Sequence, residues 1–167
     1  SDSNIKLADT RKTTPGIRVF EKYAFHCGGG INHRLGLDDA AMLKENHIEW
    51  STGISKSIKI LKGNIPWTKK IIVEAETPTQ AKEAVEAGAD GVLLDEMPIE
   101  TIEKLVPELR QLSKTSKSKY VSKNIVIEVS GINPNNLTDY IFTGIDLIST
   151  SAPITKSKWI DFSMRFD

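Results

Sequence analysis

Short apolar runs recur along the chain and are separated by longer segments in which apolar residues follow a helical period. Several of these runs have the length and composition of buried strands: Ile5–Ala8, Ala40–Leu43, Ile71–Val73, Gly91–Leu94, Ile125–Ile127 and Ile145–Ile148. Strands that alternate with helices over short connections are typical of repeated βα units. Such units form a parallel sheet that is covered by helices.

The length of the chain limits the architecture that these units can form. A closed barrel of eight βα units needs about 250 residues, whereas this chain has 167, of which 39% are hydrophobic and suffice for one core. The predicted fold class is therefore α/β: an open, incomplete, six-stranded parallel α/β barrel. It is TIM-barrel-like and forms a single domain over residues 1–167. An open doubly wound sheet is the alternative.

Local signals predict where two of the helices begin. Thr77-Pro78-Thr79-Gln80 has the spacing of a capping box, with proline at the first helical position. By the same reasoning, Thr14 is expected to cap an earlier helix in which Pro15 takes the first position. Gly28-Gly29-Gly30 is expected to end that helix. Its apolar face is predicted to consist of Ile17, Phe20, Ala24 and Cys27.

Further segments carry weaker signals. Pro107 is expected to kink or split the helix predicted between Pro98 and Leu112. The lysine- and serine-rich segment from 113 to 122 is expected to be a solvated loop. Residues 133–143 predict a helix that Gly144 ends. The tail from Trp159 to Met164 alternates like one further strand or a packing segment.

Composition excludes several classes of partner. Basic and acidic residues balance, 22 Lys and Arg against 22 Asp and Glu, so no overall field draws the chain to nucleic acid or to a membrane. The single cysteine, Cys27, excludes an intrachain disulfide and favours a reducing setting. No apolar run approaches the roughly 20 residues of a membrane span, and residues 1–4 lack a signal pattern. We expect a cytoplasmic protein that binds anions through local charge clusters.

Polar residues follow the predicted strands in a regular way. In both architectures ligands bind beyond the carboxyl ends of the strands. Taken in strand order, the residues at those ends are Arg11 and Lys12, Lys44, Glu74, Asp95, Ser130 with Gly131, and Ser149. Each residue alone could be a solvated loop residue, but the regular placement of the group predicts one site for an anionic substrate.

A basic set stands out within this neutral chain: Arg11, Lys12, His33, Arg34 and Lys44. Guanidinium groups grip carboxylate or phosphate with two parallel hydrogen bonds, and lysine offers a compact charge that can approach a leaving oxygen. The set therefore suits a substrate with several negative groups. Ion pairs with nearby acids are the alternative for one or two of its members, the candidates being Asp38, Asp39 and Glu45.

Glu74 and Asp95 are the paired carboxylates of the predicted site. Bound to Mg²⁺ or to ribose hydroxyls, they would offset the positive charge of a sugar cation. The alternative is that one of them only pairs with Lys12 or Lys44. Gly131 follows a strand and precedes a predicted helix, so its backbone N–H and the helix dipole could bind a phosphate.

Specific motifs resemble the quinolinate phosphoribosyltransferases, also called nicotinate-nucleotide pyrophosphorylases. The resemblance rests on Asp9–Gly16, Cys27–Gly36 and Leu43–His47, and it continues through Leu94-Asp95 to Asp161-Phe162-Ser163. It implies an open six-stranded barrel. It also implies that quinolinate and phosphoribosyl pyrophosphate give nicotinate mononucleotide, pyrophosphate and CO₂ in NAD biosynthesis, with Mg²⁺ and no organic cofactor.

The resemblance assigns a role to most of the candidate residues. Lys12, Glu74 and Asp95 would be catalytic, with Lys12 near the pyrophosphate and the two carboxylates at the ribose hydroxyls and Mg²⁺. The quinolinate carboxylates would be held by Arg11, His33, Arg34 and Lys44. The 5-phosphate would be held by Ser130 and Gly131. The resemblance does not assign Ser149, Thr150 and Ser151, whose hydroxyl groups are further candidates for binding that phosphate.

The sequence departs from the family pattern in three ways. Ser130-Gly131-Ile132 stands where Ser-Gly-Gly is usual, and Thr150-Ser151 stands in place of a Val-Gly pair. The family's N-terminal sandwich domain, which supplies an arginine to a neighbouring subunit of the homodimer or higher oligomer, is absent from these residues. Two alternatives therefore stay open: a non-catalytic phosphosugar-binding or assembly module, and a related phosphoribosyltransferase with another acceptor.

Overall fold

A computed structural model describes residues 5–51, 53–116 and 121–166. Within these residues six parallel strands form one sheet, in the order β1-β6-β5-β4-β3-β2. The strands are β1 (Lys6–Ala8), β2 (Ala41–Leu43), β3 (Ile71–Ala75), β4 (Gly91–Asp95), β5 (Val126–Ser130) and β6 (Leu147–Ser149). Because β1 and β2 are the two edges of the sheet, the barrel is open between them, and the predicted fold class is confirmed.

Helices connect the strands. They are α1 (Arg18–Cys27), α2 (Glu45–Ser51), α3 (Ile54–Asn64), α4 (Pro78–Ala87), α5 (Ile99–Thr115), a 3₁₀ helix (Pro134–Tyr140) and α6 (Ala152–Thr155). The capping box of α4 is confirmed: Thr77 Oγ1 accepts a hydrogen bond from Gln80 N at 3.2 Å, and Gln80 Oε1 accepts one from Thr77 N at 3.2 Å. In the part of the chain that the structure describes, every helix falls short of the length and apolarity that crossing a bilayer requires.

The hydrophobic core lies between the centre of the sheet and its helices. Alternate residues of the central strands, Val73, Leu94 and Ile127, are fully buried on the face that meets α4 and α5. Within these strands Glu74, Asp95 and Glu128 occupy the alternating positions, which lie on the opposite face because side chains alternate along a strand. One face of the centre therefore carries the core, and the other carries the polar groups of the barrel interior.

The first helix differs from the prediction in its start and in its buried face. Thr14 does not cap it: α1 starts four residues later, and Thr14 N and Oγ1 donate instead to the Glu21 carboxylate at 2.8 and 2.6 Å. The predicted apolar face is exposed, with Phe20 at 71%, whereas Lys22 is only 4% exposed. The physical reason is an ion pair between Lys22 and the buried Asp9, which turns the polar side of the helix inward.

Three weaker predictions are also corrected. Pro107 does not split its helix: α5 is continuous through Pro107, which lies on the exposed side while Ile102, Leu105 and Leu109 hold the other side in the core. A kink at Pro107 stays a prediction. This helix extends into the predicted loop as far as Thr115, and residues 117–120 of that loop lie outside the described residues. The helix predicted after Asn133 is a 3₁₀ helix that ends at Tyr140.

The tail prediction is wrong in both of its forms. Residues 159–164 form no strand, and their large side chains do not pack, since Trp159, Ile160, Phe162 and Met164 are all exposed. An alternating pattern predicts a strand only where a neighbouring strand can accept its hydrogen bonds. Among the described residues, β1 and β2 form the sheet edges and this tail pairs with neither.

Candidate active site

A short segment fills part of the gap between the two edge strands. After α1 ends at three glycines, Ile31–Arg34, here called the seam segment, runs beside β1. Asp9 N donates to Ile31 O at 3.1 Å, and Ile31 N donates to Leu7 O at 2.9 Å. This pairing brings His33 and Arg34 to the open side of the barrel, next to the residues that follow β1.

Glu74 lies near two cations, Lys44 and Arg34. Lys44 Nζ lies 2.5 Å from Glu74 Oε2, and Arg34 donates to Ala40 O at 3.0 Å. Burial lowers the pKa of the Arg34 guanidinium, and the charge of Arg11 lowers that pKa further, whereas the charge of Glu74 raises it. Arg34 is therefore within electrostatic reach of both Arg11 and Glu74, and Lys44 pairs with the same carboxylate. Arg11, Arg34, Lys44 and Glu74 are called the cationic group below.

The ion pairs suggested as alternatives for the basic set differ from those in the structure. Lys44 pairs with Glu74, whereas Glu45 accepts a hydrogen bond from Asn46. Asp39 accepts one from Leu35 N at 2.6 Å. The alternative for the carboxylate pair, in which one of them pairs with Lys44, does occur in this structure.

A second group lies in a cleft of about 280 Å³ beyond the ends of β4, β5 and β6. Ser130 Oγ donates a short hydrogen bond to Asp95, and these two residues are also directly opposite each other in the parallel pair β4–β5. The predicted site residues that line this cleft are Lys12, Asp95, Ser130, Gly131, Ser149 and Ser151. The phosphate candidates and Asp95 are thus brought together as one group, whereas Glu74, the other ribose candidate, does not line this cleft.

Gly131 is required by its conformation and by its neighbour. Its φ is +73°, and a Cβ added there would lie 2.5 Å from Glu96 Cγ. Glu96 itself has a positive φ of 51°. The following helix is a seven-residue 3₁₀ helix, so the helix dipole expected to support phosphate binding is not provided by an α-helix. Phosphate binding by Gly131 stays a prediction that rests on backbone N–H groups and hydroxyls.

Glu74 lies deeper than Asp95, with which it was paired in the prediction. The register places Glu74 opposite Leu93, two residues before the end of β4, whereas Asp95 lies at that end. The ion pair between Glu74 and Lys44 joins Glu74 to the cationic group. The site therefore consists of a cationic group around Glu74 and a cleft around Asp95.

His33 faces the barrel interior. Its Nδ1 accepts a hydrogen bond from Arg34 N at 2.8 Å, and its Nε2 lies 3.3 Å from Glu128 Oε2. Both residues line a cavity of about 380 Å³ that Arg34 also borders. Glu128 is 3% exposed, and its Oε1 has no partner within the described part of the chain.

Sequence reasoning missed Glu128, Asp9 and Lys22. A charged residue between the apolar residues Ile127 and Val129 was a signal for Glu128, because such a residue in a buried strand must face a polar interior. Asp9 and Lys22 gave no comparable signal. They are far apart in the sequence, and only the packing of α1 makes them a pair.

The side chains that could bind a metal ion limit how Mg²⁺ could be held. Residues 5–51, 53–116 and 121–166 contain no cluster of three or more His, Cys, Asp or Glu side chains able to hold a metal. Mg²⁺ commonly uses one or two carboxylates together with substrate phosphates and water. Asp95, which lines the cleft, fits that second arrangement, in which the substrate supplies the other ligands, whereas Glu74 is paired with Lys44 in this structure.

These features define a class: an open parallel α/β barrel with charged and polar side chains gathered at the carboxyl ends of its strands. Residues 1–165 match the family model described as quinolinate phosphoribosyl transferase, C-terminal domain. The chain therefore belongs to the quinolinate phosphoribosyltransferase family, as its motifs predicted.

Similar proteins cover this chain almost completely. The probable nicotinate-nucleotide pyrophosphorylase (carboxylating) of Synechocystis sp. is 43% identical over 166 residues, which are 99% of this chain and 53% of that protein. The nicotinate-nucleotide pyrophosphorylase (carboxylating) of Homo sapiens is 35% identical over 160 residues, 95% of this chain and 51% of that protein. The crystal structure of NadC from Streptococcus pyogenes is 38% identical with a TM-score of 0.86, covering 99% of this chain and 54% of that one. The chain spans about half the length of these relatives.

Proposed function

We propose that this chain is the catalytic barrel domain of a quinolinate phosphoribosyltransferase. The reaction converts quinolinate and phosphoribosyl pyrophosphate into nicotinate mononucleotide, pyrophosphate and CO₂ in NAD biosynthesis. One observation carries the proposal: the Lys44–Glu74 ion pair, with Arg34 in electrostatic reach of Glu74 and of Arg11, lies on the same barrel as a polar cleft around Asp95 and Ser130. The names of the relatives support the same activity.

The cationic group suits the acceptor. Quinolinate carries two carboxylates, and Arg11, Arg34 and Lys44 exceed the single negative charge of Glu74. Arginine can hold each carboxylate through two parallel hydrogen bonds. Once quinolinate binds, its carboxylates compensate the repulsion between Arg11 and Arg34. His33 supports this group from the barrel interior.

The cleft suits the ribose and its phosphates. Loss of pyrophosphate leaves positive charge on the ribose carbon, which the Asp95 carboxylate stabilises while it holds the ribose hydroxyls. Lys12 borders the same cleft and balances the charge of the leaving pyrophosphate. Ser130, Gly131, Ser149 and Ser151 hold the 5-phosphate. Asp95 and Glu74 would hold Mg²⁺ together with substrate phosphates, and the ion would supply further charge neutralisation. No organic cofactor is expected.

The assembly follows from the same family relationship. We expect a homodimer or higher oligomer in the cytoplasm. In it, an N-terminal sandwich domain of a neighbouring subunit adds one arginine to the acceptor half of the site, which is the part that binds quinolinate through Arg11, Arg34 and Lys44. Turnover is therefore best measured on the longest product of the reading frame that encodes this chain.

Substitution of Lys12 and Asp95 tests the proposal. Lys12→Ala and Asp95→Ala should each lower the rate of nicotinate mononucleotide formation by about a hundredfold or more, because each removes a group that balances charge developing in the transition state. Lys70→Ala is the control, since Lys70 precedes β3 at the other end of the barrel. Near-normal rates in both site variants would contradict the assignment.

Binding and product analysis separate the alternatives. Calorimetry should show quinolinate binding that Arg34→Ala weakens. A chain that binds phosphorylated sugars but neither binds nor converts quinolinate would be a non-catalytic module. Product formation with nicotinate but not with quinolinate would identify a phosphoribosyltransferase with another acceptor.

A further inference from the structure

Asp9 is a completely buried carboxylate at the end of β1. Its Oδ1 lies 2.5 Å from Lys22 Nζ and accepts a hydrogen bond from His33 N at 2.7 Å. Its Oδ2 accepts one from Asn32 Nδ2 at 2.6 Å. A buried charge is tolerated only when it is paired and hydrogen-bonded, and Asp9 meets both conditions through α1 and the seam segment.

Its partners also bind one another. Lys22 Nζ donates to His33 O at 2.9 Å, and Asn32 Nδ2 donates to Lys22 O at 2.9 Å. Asp9, Lys22, Asn32 and the His33 backbone therefore form one polar network. Asp9 and Lys22 are its buried members, so the removal of either leaves the other buried without its counter-charge.

The network determines where the seam segment lies. On one side the segment is held to β1 by Asp9 and by the pairing of Ile31 with Leu7. On the other side Arg34 donates to Ala40 O at 3.0 Å and to Met42 Sδ at 3.5 Å, which ties the segment to β2. The two edge strands of the open barrel are thus linked through polar side chains.

Asp9 also lies next to Arg11, another member of the acceptor half, along the chain. Asp9 directly precedes Thr10-Arg11-Lys12, so it joins the segment that carries Arg11 to the one that carries Arg34. A carboxylate that lines neither the cleft nor the surface thus joins the two segments that carry these guanidinium groups.

We infer that Asp9 is a positioning residue for the acceptor half of the site. Its carboxylate holds the seam segment against β1, and thereby sets the position of Arg34 relative to Arg11, without contacting substrate. The inference rests on the proposed function, in which these two arginines bind quinolinate. An amide cannot replace the carboxylate, because it keeps one accepting oxygen, presents N–H groups to other donors and leaves the Lys22 ammonium without a counter-charge.

Asp9→Asn tests the inference in the longest product of the reading frame. We expect the KM for quinolinate and its Kd from calorimetry to rise about tenfold or more, because misplacing a binding group by about an ångström costs up to about a hundredfold. The KM for phosphoribosyl pyrophosphate should rise by a clearly smaller factor, because Asp95 and Ser130 of the cleft stand on β4 and β5 and only Lys12 follows Asp9 along the chain. A general loss of stability would not produce this split between the two substrates.

Asp90→Asn is the matched control. Asp90 also pairs with a lysine, Lys70, at 2.8 Å and accepts a backbone hydrogen bond from Ile71 N at 2.9 Å, but it lies at the amino end of the sheet. Neither KM should change in this variant. If Asp9→Asn does not fold, Asn32→Ala, which keeps the ion pair, should raise the quinolinate KM in the same direction by a smaller factor.

Two results would overturn the inference. One is wild-type affinity for quinolinate in folded Asp9→Asn, or in Asn32→Ala if the first variant does not fold; the other is an equal increase in the KM of both substrates. If the unsubstituted protein neither binds nor converts quinolinate, the proposed function fails and this inference fails with it.

Discussion

The centre of the sheet and its open side are held together by different forces. At the centre, β3, β4 and β5 each have five residues, and Val73, Leu94 and Ile127 are fully buried. At the open side, β1 and β2 have three residues each, Leu7 is 37% exposed, and polar contacts of Asp9 and Arg34 link the edges. The centre depends on apolar burial, and the open side depends on specific hydrogen bonds.

The two halves of the candidate site lie in these two regions, one at the centre of the sheet and the other at its open side. The cleft of Asp95 and Ser130 stands on adjacent central strands, whereas Arg34 and Lys44 are carried by the seam segment and the end of β2. A parallel sheet with a dry face fixes its strand ends without further support. Side chains at an open edge need a polar network to place them.

The largest difference should appear when a leucine is truncated in each region. Leu94→Ala removes a fully buried side chain from β4 and should lower the free energy of unfolding by about 2–5 kcal/mol. Leu7→Ala removes a side chain from β1 that is already partly in water, and should cost about 1 kcal/mol or less. Urea unfolding of both variants with unchanged slopes measures the difference, and equal losses would show that both regions depend on burial alike.

A smaller effect is expected at two glycines with positive φ. Gly131 follows β5 and Gly16 lies in the loop before α1, with φ of +73° and +84°. Alanine at either position costs about 1–2 kcal/mol for the left-handed backbone, but only Gly131→Ala also meets Glu96. Gly131→Ala should therefore be the more destabilising change in thermal unfolding.

Glu96→Ala provides the control for that comparison. Gly131→Ala should cost more stability than Gly16→Ala because its Cβ meets the Glu96 side chain. In the double variant Gly131→Ala/Glu96→Ala that side chain is gone, so the extra loss of stability should be recovered. If the double variant loses as much stability as Gly131→Ala alone, the whole effect comes from the positive φ of the backbone at this position.

The smallest effect concerns the two predicted helix caps. Thr77→Ala removes the observed capping box of α4 and should lower the free energy of unfolding by about 1 kcal/mol. Thr14→Ala removes only an exposed hydrogen bond to Glu21 and should cost roughly half a kcal/mol or less. Urea unfolding monitored by circular dichroism measures both, and a larger loss in Thr14→Ala would contradict the structure of this turn.

These two caps also show how far the sequence can be interpreted. The start of α4 could be predicted because both partners of its capping box lie within four residues. The start and the face of α1 could not, because Lys22 pairs with Asp9 across thirteen positions of the sequence. A buried ion pair outweighed an apolar pattern that agreed with helical periodicity.

The candidate site divides in the same way. Residues at strand ends, such as Asp95 and Ser130, were found because the end of an apolar run marks the end of a strand. The partner of Glu74 and the place of Glu128 depend on register and on which residues share a face. A linear pattern does not contain that information.

The sequence by itself determined the α/β class, the number of strands, the family and the set of polar residues at the strand ends. It could do so because strand period, capping and motif spacing are local properties. Only the tertiary structure decided that α1 buries Lys22, that Glu74 belongs with Lys44, and that Asp9 holds the seam segment. These features arise where distant segments meet at an open barrel edge, and there the solvation of charged groups, which no single segment encodes, selects the arrangement.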